Sequence, residues 1–229
     1  MKARQSILLL TAGLSLCFPL SAAQETLHYS VNWPTGLSLG EATLSTDNLD
    51  SSSPAERNST LRLEASIPTY AVIDEFQSRT SPAHCAIEFR KNIQHGKRAG
   101  QETLTFDAAA GSLERKTEKG GSSRSTVPAC AKDALGFLYF LRSELRASRI
   151  PPPQPVYFGA AYQITLQHAG TQRVMAKGAP VEADKFFVTI QGPASAHKIE
   201  IYFARDAART PVLFRVPLPL GAFTMELVD

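Results

Sequence analysis

The stretch Asp133–Leu145, DALGFLYFLRSEL, decides how this chain reads. Ala134, Phe137, Leu138, Leu141 and Leu145 recur at i, i+3, i+4, i+7 and i+11, which is one face of a helix. No other segment after residue 24 carries that period. Nearly everything on either side alternates every second residue instead. A lone apolar-faced helix among strands buries its stripe on a sheet or inside a curved one. Gly136 within it costs about 1 kcal/mol relative to Ala, which packing has to recover. The expected fold class is therefore mainly β: a curved antiparallel or barrel-like sheet of about ten or more strands packed around one central α-helix.

Working outward, Leu27, Tyr29, Val31 and Trp33 alternate with His28, Ser30 and Asn32, a half-buried strand. Pro34-Thr35-Gly36 turns the chain into a returning strand at Leu37–Ser45. Further strands are predicted at Leu61–Ile67, Asp74–Thr80, Cys85–Gln94 and Glu102–Phe106, with a polar loop at 47–58 and a mixed connector at 68–73. Ser112–Ser125, polar and carrying Gly120-Gly121, reads as an exposed hairpin tip. After the helix, Pro151-Pro152-Pro153 and Pro155 predict a stiff connector that joins neither helix nor ladder. Strands are then predicted at Ala161–Gln167, Gln172–Lys177, Val181–Ile190, Lys198–Arg205, Val212–Val216 and Ala222–Val228, punctuated at Gly170, Gly178 and Gly192-Pro193.

Residues 1–23 have the form of a cleaved secretory signal. Lys2 and Arg4 supply the positive start, Ile7–Leu20 the apolar run, and Ser21-Ala22-Ala23 the small residues of a cleavage site. The interrupted apolar run is short for a membrane span, and Leu16 before Cys17 departs from a lipoprotein signal. Residues 24–229 are then expected to form one mainly-β domain with no transmembrane segment, delivered to the periplasm. Without Lys2 and Arg4, 22 basic residues (24 less two) face 21 acidic ones. That balance makes no electrostatic case for nucleic acid. In an exported chain the remaining pair, Cys85 and Cys130, reads as a disulfide that pins the helix start to an earlier strand, worth roughly 4 kcal/mol.

Sites of chemistry are sparse. Gly36-Leu37-Ser38-Leu39-Gly40 matches G-x-S-x-G, with Asp184 and His197 downstream. A nucleophile elbow needs a helix after the serine, however, and here the alternation of a strand follows. The five histidines show no metal-ligand spacing. Glu64, Asp74 and Glu75 are available as a carboxylate pair but fit the wet face of a sheet. Lys91, Lys97, Arg98, Arg115, Lys116 and Lys119 make a locally basic region that offers a patch for phosphate or an anionic glycan if the two hairpins lie side by side, but interspersed glutamates dilute it and a solvated mixed-charge surface is the favoured reading. Asn58-Ser59-Thr60 forms a glycosylation sequon. The most apolar stretch after the signal, Val212–Phe223, reads first as a core filled by its own side chains with the helix as plug, and second as the concave side of a curved sheet that holds an acyl chain. No catalytic, cofactor-binding or metal residue is assigned, and no cofactor is expected.

Three groups of residues carry a family likeness. Gly36-x-x-x-Gly40-Glu41-Ala42-x-Leu44 opens the chain, Asp133-Ala134-Leu135-Gly136-Phe137-Leu138-Tyr139-Phe140-Leu141-Arg142 sits in its middle, and Ile201-Tyr202-Phe203-x-x-Asp206, Arg209-x-Pro211-Val212 and Leu218-x-Leu220-Gly221 close it. Together they resemble the exported bacterial family DUF3108, with Gly136 where the family pattern has Ser. The resemblance implies a mainly-β envelope protein and brings no reaction, cofactor or catalytic residue with it. The expected function is that of a non-enzymatic binding or envelope-maintenance protein with a lipid or glycan ligand. The alternatives are an envelope hydrolase using Ser38 or an unseen carboxylate pair, and a structural partner of another envelope protein. Thiol titration of the denatured, unreduced mature protein is expected to find no free thiol; two would overturn the disulfide.

Overall fold

The computed structural model describes residues 24–47, 55–67, 70–218 and 221–229. The expected signal, residues 1–23, lies outside the described residues, as does most of the predicted polar loop. The chain runs β1 (Glu25–Asn32), β2 (Ser38–Thr46), β3 (Arg57–Ile67), β4 (Tyr70–Thr80), β5 (Ala86–His95), β6 (Arg98–Asp107), β7 (Ser112–Thr117), β8 (Ser122–Thr126) and β9 (Lys132–Asp133). The helix α1 (Ala134–Arg146) follows, then β10 (Gln154–Tyr157), β11 (Ala161–Ala176), β12 (Ala179–Gln191), β13 (Ala196–Ala204), β14 (Pro211–Leu218) and β15 (Gly221–Leu227). All fifteen strands belong to one sheet, in the order β8-β7-β6-β5-β4-β3-β2-β1-β15-β14-β13-β12-β11-β10-β9. Every pairing is antiparallel except β9 with β10, which α1 connects as a crossover.

The sheet is not closed, yet its ends do not lie far apart. β9 ends the hydrogen-bond order, but the Ala86 N–H at the start of β5 donates to the Ala131 carbonyl just before β9 at 2.8 Å. The predicted disulfide is formed one residue earlier on each side, between Cys85 and Cys130, with their Cα atoms 4.6 Å apart. The sheet therefore curls until one edge meets the face near β5, and β6–β8 run on past that seam. The β10–β11 turn supports the overlap from within. Phe158 packs on Phe76 and Phe89 with ring centroids at 5.1 and 5.5 Å, and Tyr157 meets Phe106 at 5.9 Å.

The helix starts within one residue of its predicted position because Asp133 caps it, its Oδ1 accepting the Leu135 and Gly136 N–H groups at 2.9 Å. It lies against β3, β4, β9 and β10. Its burial is wider than a single stripe. Phe137, Leu141 and Leu145 join a cluster with Val156, Ile164, Phe186 and Phe203, whereas Leu135 and Tyr139 join the larger cluster that includes Tyr29, Leu44, Phe89, Leu104 and Tyr202. Gly136 has a packing reason: a Cβ there would come 2.9 Å from Thr80 Cγ2, so the missing side chain lets the helix sit close on β4.

Two local expectations need correction. Gln154–Tyr157 is a strand despite Pro155; β9 pairs only with Val156 and Tyr157, so the proline's missing donor faces no partner on that side. The predicted strands Ala161–Gln167 and Gln172–Lys177 are one strand, β11. Gly170, with φ +89°, marks a break in its register between His168 and Thr171 rather than a turn. Ser112–Ser125 forms the expected hairpin, β7 paired with β8 and β8 exposed along its length, although Leu113 is buried.

The two glycines of the G-x-S-x-G match do different work. Gly36 takes a positive φ of 86° in the β1–β2 turn, whereas Gly40 sits where a Cβ would fall on the Glu64 carbonyl of β3. Gly40→Ala is expected to destabilise by about 2 kcal/mol or more through overpacking, read as a lowered urea midpoint at unchanged slope.

Candidate functional site

Strand alternation puts Val31, Leu63, Ala65, Val72, Asp74, Ile93 and His95 on one concave face, because the register sets Leu63 opposite Asp74, Ala65 opposite Val72, and Asp74 opposite Ile93. Where this face meets β14 and β15 it forms an apolar pocket of about 260 Å³, lined among others by Leu39, Val216, Phe223 and Met225. Phe223 is fixed edge-on to Trp33, centroids 4.7 Å apart. A single polar pair stands at the pocket: His95 Nε2 lies 2.8 Å from Asp74 Oδ1.

Beside it on the same face lies a charged trough of about 350 Å³, lined by Lys91, Ile93, Gly100, Glu102, Arg115, Thr117 and Lys119 among others. Glu102 is only 8% exposed. Its Oε2 accepts the Arg115 Nε–H at 2.8 Å, while Oε1 is buried without a hydrogen-bond partner. Lys91 Nζ stands 3.7 Å from Glu102 and 4.7 Å over the Phe158 ring.

A third polar group lies under the helix. Arg142, 2% exposed, donates to both Glu25 oxygens at 2.6 and 2.8 Å and to the Ala208 carbonyl at 3.1 Å. Burial by itself would lower its pKa, but the hydrogen bonds and charge of Glu25 outweigh that and hold the guanidinium above its ordinary value. Its guanidinium and that of Arg57 stand 5.3 and 5.6 Å from the Tyr139 ring. Arg57 Nη1 also donates to His84 Nδ1 at 2.7 Å, which fixes that nitrogen as the acceptor. The network is enclosed and ties β1, β3 and α1 together, so it reads as architecture rather than as a reacting centre.

The sequence-predicted chemistry fares unevenly. Ser38 is exposed at the start of β2 and is followed by that strand, not by a helix. Asp184 is held by Thr171 and Arg209, and His197 pairs with Ile190 on β12, four sheet positions beyond β1. Of the carboxylates, Asp74 reaches the apolar pocket, while Glu64 and Glu75 are bonded to Arg62 on the opposite face. Of the basic residues, Lys91, Arg115 and Lys119 share the trough, and Lys116 pairs with Glu114. Among the described residues no group of three His, Cys, Asp or Glu is placed to hold a metal, and no helix is long and apolar enough to cross a membrane. Sequence reasoning did not foresee the Asp74–His95 pair. Its signal was available in hindsight, since β4 and β5 are adjacent and both residues fall on apolar-side positions.

The fold and its concave face define a class: a mainly-β protein made of a single unclosed, barrel-like sheet with one short helix, opening on an apolar pocket. The chain belongs to the family DUF3108, described as a protein of unknown function, which matches residues 27–228. Among solved structures it is similar to a beta-barrel-like protein of the domain of unknown function DUF1849 from Brucella abortus. The two share 9% identity and a TM-score of 0.64, over 91% of this chain and 97% of that one. At that identity the likeness is one of fold. No curated protein matches the chain.

Two buried titrating groups at the seam oppose each other. Burial raises the Asp133 carboxyl to about 6, against hydrogen bonds from Gly136, Ser78 and Leu135 that lower it. The native state then holds a proton that the unfolded chain lacks between about pH 4 and 6, so this stabilising contribution is lost as pH rises through 6. Burial, then the charges of Arg57 and Lys132, lower His84 to about 4. Its contribution is present above about pH 6.5 and lost as pH falls toward 4. Asp133→Asn retains the cap and is expected to gain on the wild type, by on the order of 2 kcal/mol, as pH rises from 4 to 6. His84→Gln is expected to lose ground over the same interval. Urea midpoints at several pH values check both, and slopes of the same sign would sink the assignment.

Proposed function

We propose that this is an exported cell-envelope protein that binds a lipid, taking an apolar chain into the pocket between β1–β5 and β14–β15. The observation that carries the reading is the lining of that pocket, which is mostly aliphatic and aromatic on a concave face with one hydrogen-bonded His–Asp pair at its side. Its volume of about 260 Å³ stands near the lower end of the roughly 300–1,000 Å³ of ligand sites, which suits a single chain or the end of one better than a folded glycan. Export is supported by the signal-like residues 1–23 and by a disulfide that an oxidising compartment maintains. A polar hydrolytic centre finds no comparable support, since Ser38 stands exposed at a strand start.

A second reading draws on one feature, the outer strand β8. Its five residues are all exposed, it ends the sheet, and its free edge is open to an added strand of another envelope protein.

Binding of a fluorescent single-chain fatty acid tests the first reading. Ala65→Trp and Val72→Trp, which fill the pocket from neighbouring strands, are each expected to weaken binding by about tenfold or more while leaving the thermal midpoint within a few degrees. Wild-type protein that gives no signal, or variants that bind as well as it does, would defeat the lipid reading.

A further inference from the structure

We propose that the concave face binds an acidic amphiphile lengthwise, with its chain in the apolar pocket and its acidic head in the charged trough against Lys91, Arg115 and Lys119. This inference rests on the lipid-binding reading and names the class of lipid. Its foundation is that the two cavities are neighbours on one surface. Asp74 and His95 line the apolar pocket, while Ile93, directly opposite Asp74 and two residues from His95, lines the trough. The next pair across, Ile93 with Gly100, forms the floor between them. Gly100 has no side chain to raise that floor, and the only atoms near a Cβ built there belong to Ile93, at 3.7 Å and beyond. The path from pocket to trough is therefore low and apolar.

The trough itself has the chemistry of a receiving site. Three cations line it, against the carboxylates of Glu102 and Glu118. Lys91 is drawn inward, its side chain 19% exposed, but at 3.7 Å from Glu102 its N–H groups are not consumed by that partner. Lys119 makes no ion pair among the described residues and stands at the open side. Glu102 serves to hold Arg115 in place, and its buried Oε1 accepts no hydrogen bond. An acidic head fits this lining, its anion meeting the lysines and Arg115. Carboxylate and phosphate heads share this chemistry, and the test separates them.

The experiment is calorimetric titration of the mature full-length chain with three twelve-carbon probes below their micelle concentrations: dodecanoate, dodecyl phosphate and neutral monolauroylglycerol. Both acidic probes are expected to bind at least about tenfold tighter than the neutral one, a difference of roughly 1.4 kcal/mol. The tighter of the two identifies the head as carboxylate or phosphate. Lys119→Glu, an exposed substitution with no bearing on folding, is expected to remove most of that advantage, as is Lys91→Ala. Gly100→Leu, which raises the floor, is expected to weaken the acidic probes several-fold. Equal binding of acidic and neutral probes, unaltered by Lys119→Glu, overturns the head site and leaves the lipid pocket standing. Binding of none of the three overturns both.

Discussion

The curl of the sheet depends on one small junction. An open sheet of fifteen strands has no intrinsic need to bring its ends together, and twist alone accumulates without specifying closure. Here the two arms are fastened where β5 and β9 begin, by the Cys85–Cys130 bond, the Ala86–Ala131 hydrogen bond, and Ser78 Oγ donating to Asp133 Oδ2 at 2.7 Å. Three kinds of bond meet within a few residues of the helix start. The same carboxylate that caps the helix therefore also registers it against β4. The concave face, the apolar pocket and the charged trough all lie on strands whose curvature that junction sets.

Away from the junction, the interior combines aliphatic packing with a few enclosed charges. The Arg142–Glu25 pair joins the helix to the first strand, and the Ala208 carbonyl binds the guanidinium from a third direction. A buried pair of this kind contributes little net energy, but breaking it costs several kcal/mol because the survivor is left uncompensated. Its value lies in orientation: only one rotation of the helix brings Arg142 to Glu25 while Phe137 and Leu141 reach the cluster around Phe186 and Phe203. The helix is thereby keyed between two cores and not simply laid on one.

Much of this architecture was legible in the residues. Period-two alternation located most strands because one face of each is wet, and the single 3.6-residue period located the helix to within a residue. The cysteine pair, read as a disulfide, gave the seam, and the apolar stretch near Val212–Phe223 supplies Val216 and Phe223 to the pocket. What periodicity missed has identifiable causes. A helix buried on two sides shows only its more apolar stripe, so Leu135, Tyr139 and Arg142 fell outside the face that periodicity named. Glycine has the same letter in a turn and in a register break, so Gly170 split a strand that continues. Proline excludes a donor, not a strand, and Pro155 sits where no donor is wanted. The trough was the least legible of all. Lys91, Glu102 and Arg115 lie on three different strands and share a site only through a register that no single segment encodes.

The sheet order carries one more consequence. Each ladder but one joins strands that follow each other along the chain, the sole exception being β1 with β15. Both arms are thus meanders whose hairpins form from nearby residues, and they become a single sheet only when Tyr29 finds Leu227 across nearly the whole chain. The ends of those two strands are already adjacent, since the His28 N–H donates to the Asp229 carbonyl at 3.2 Å. Joining them by a short turn and opening the chain between β8 and β9 would convert that long-range step into one more hairpin. The architecture is a topologically simple ribbon whose one slow encounter comes from where the polypeptide starts, not from the shape it takes.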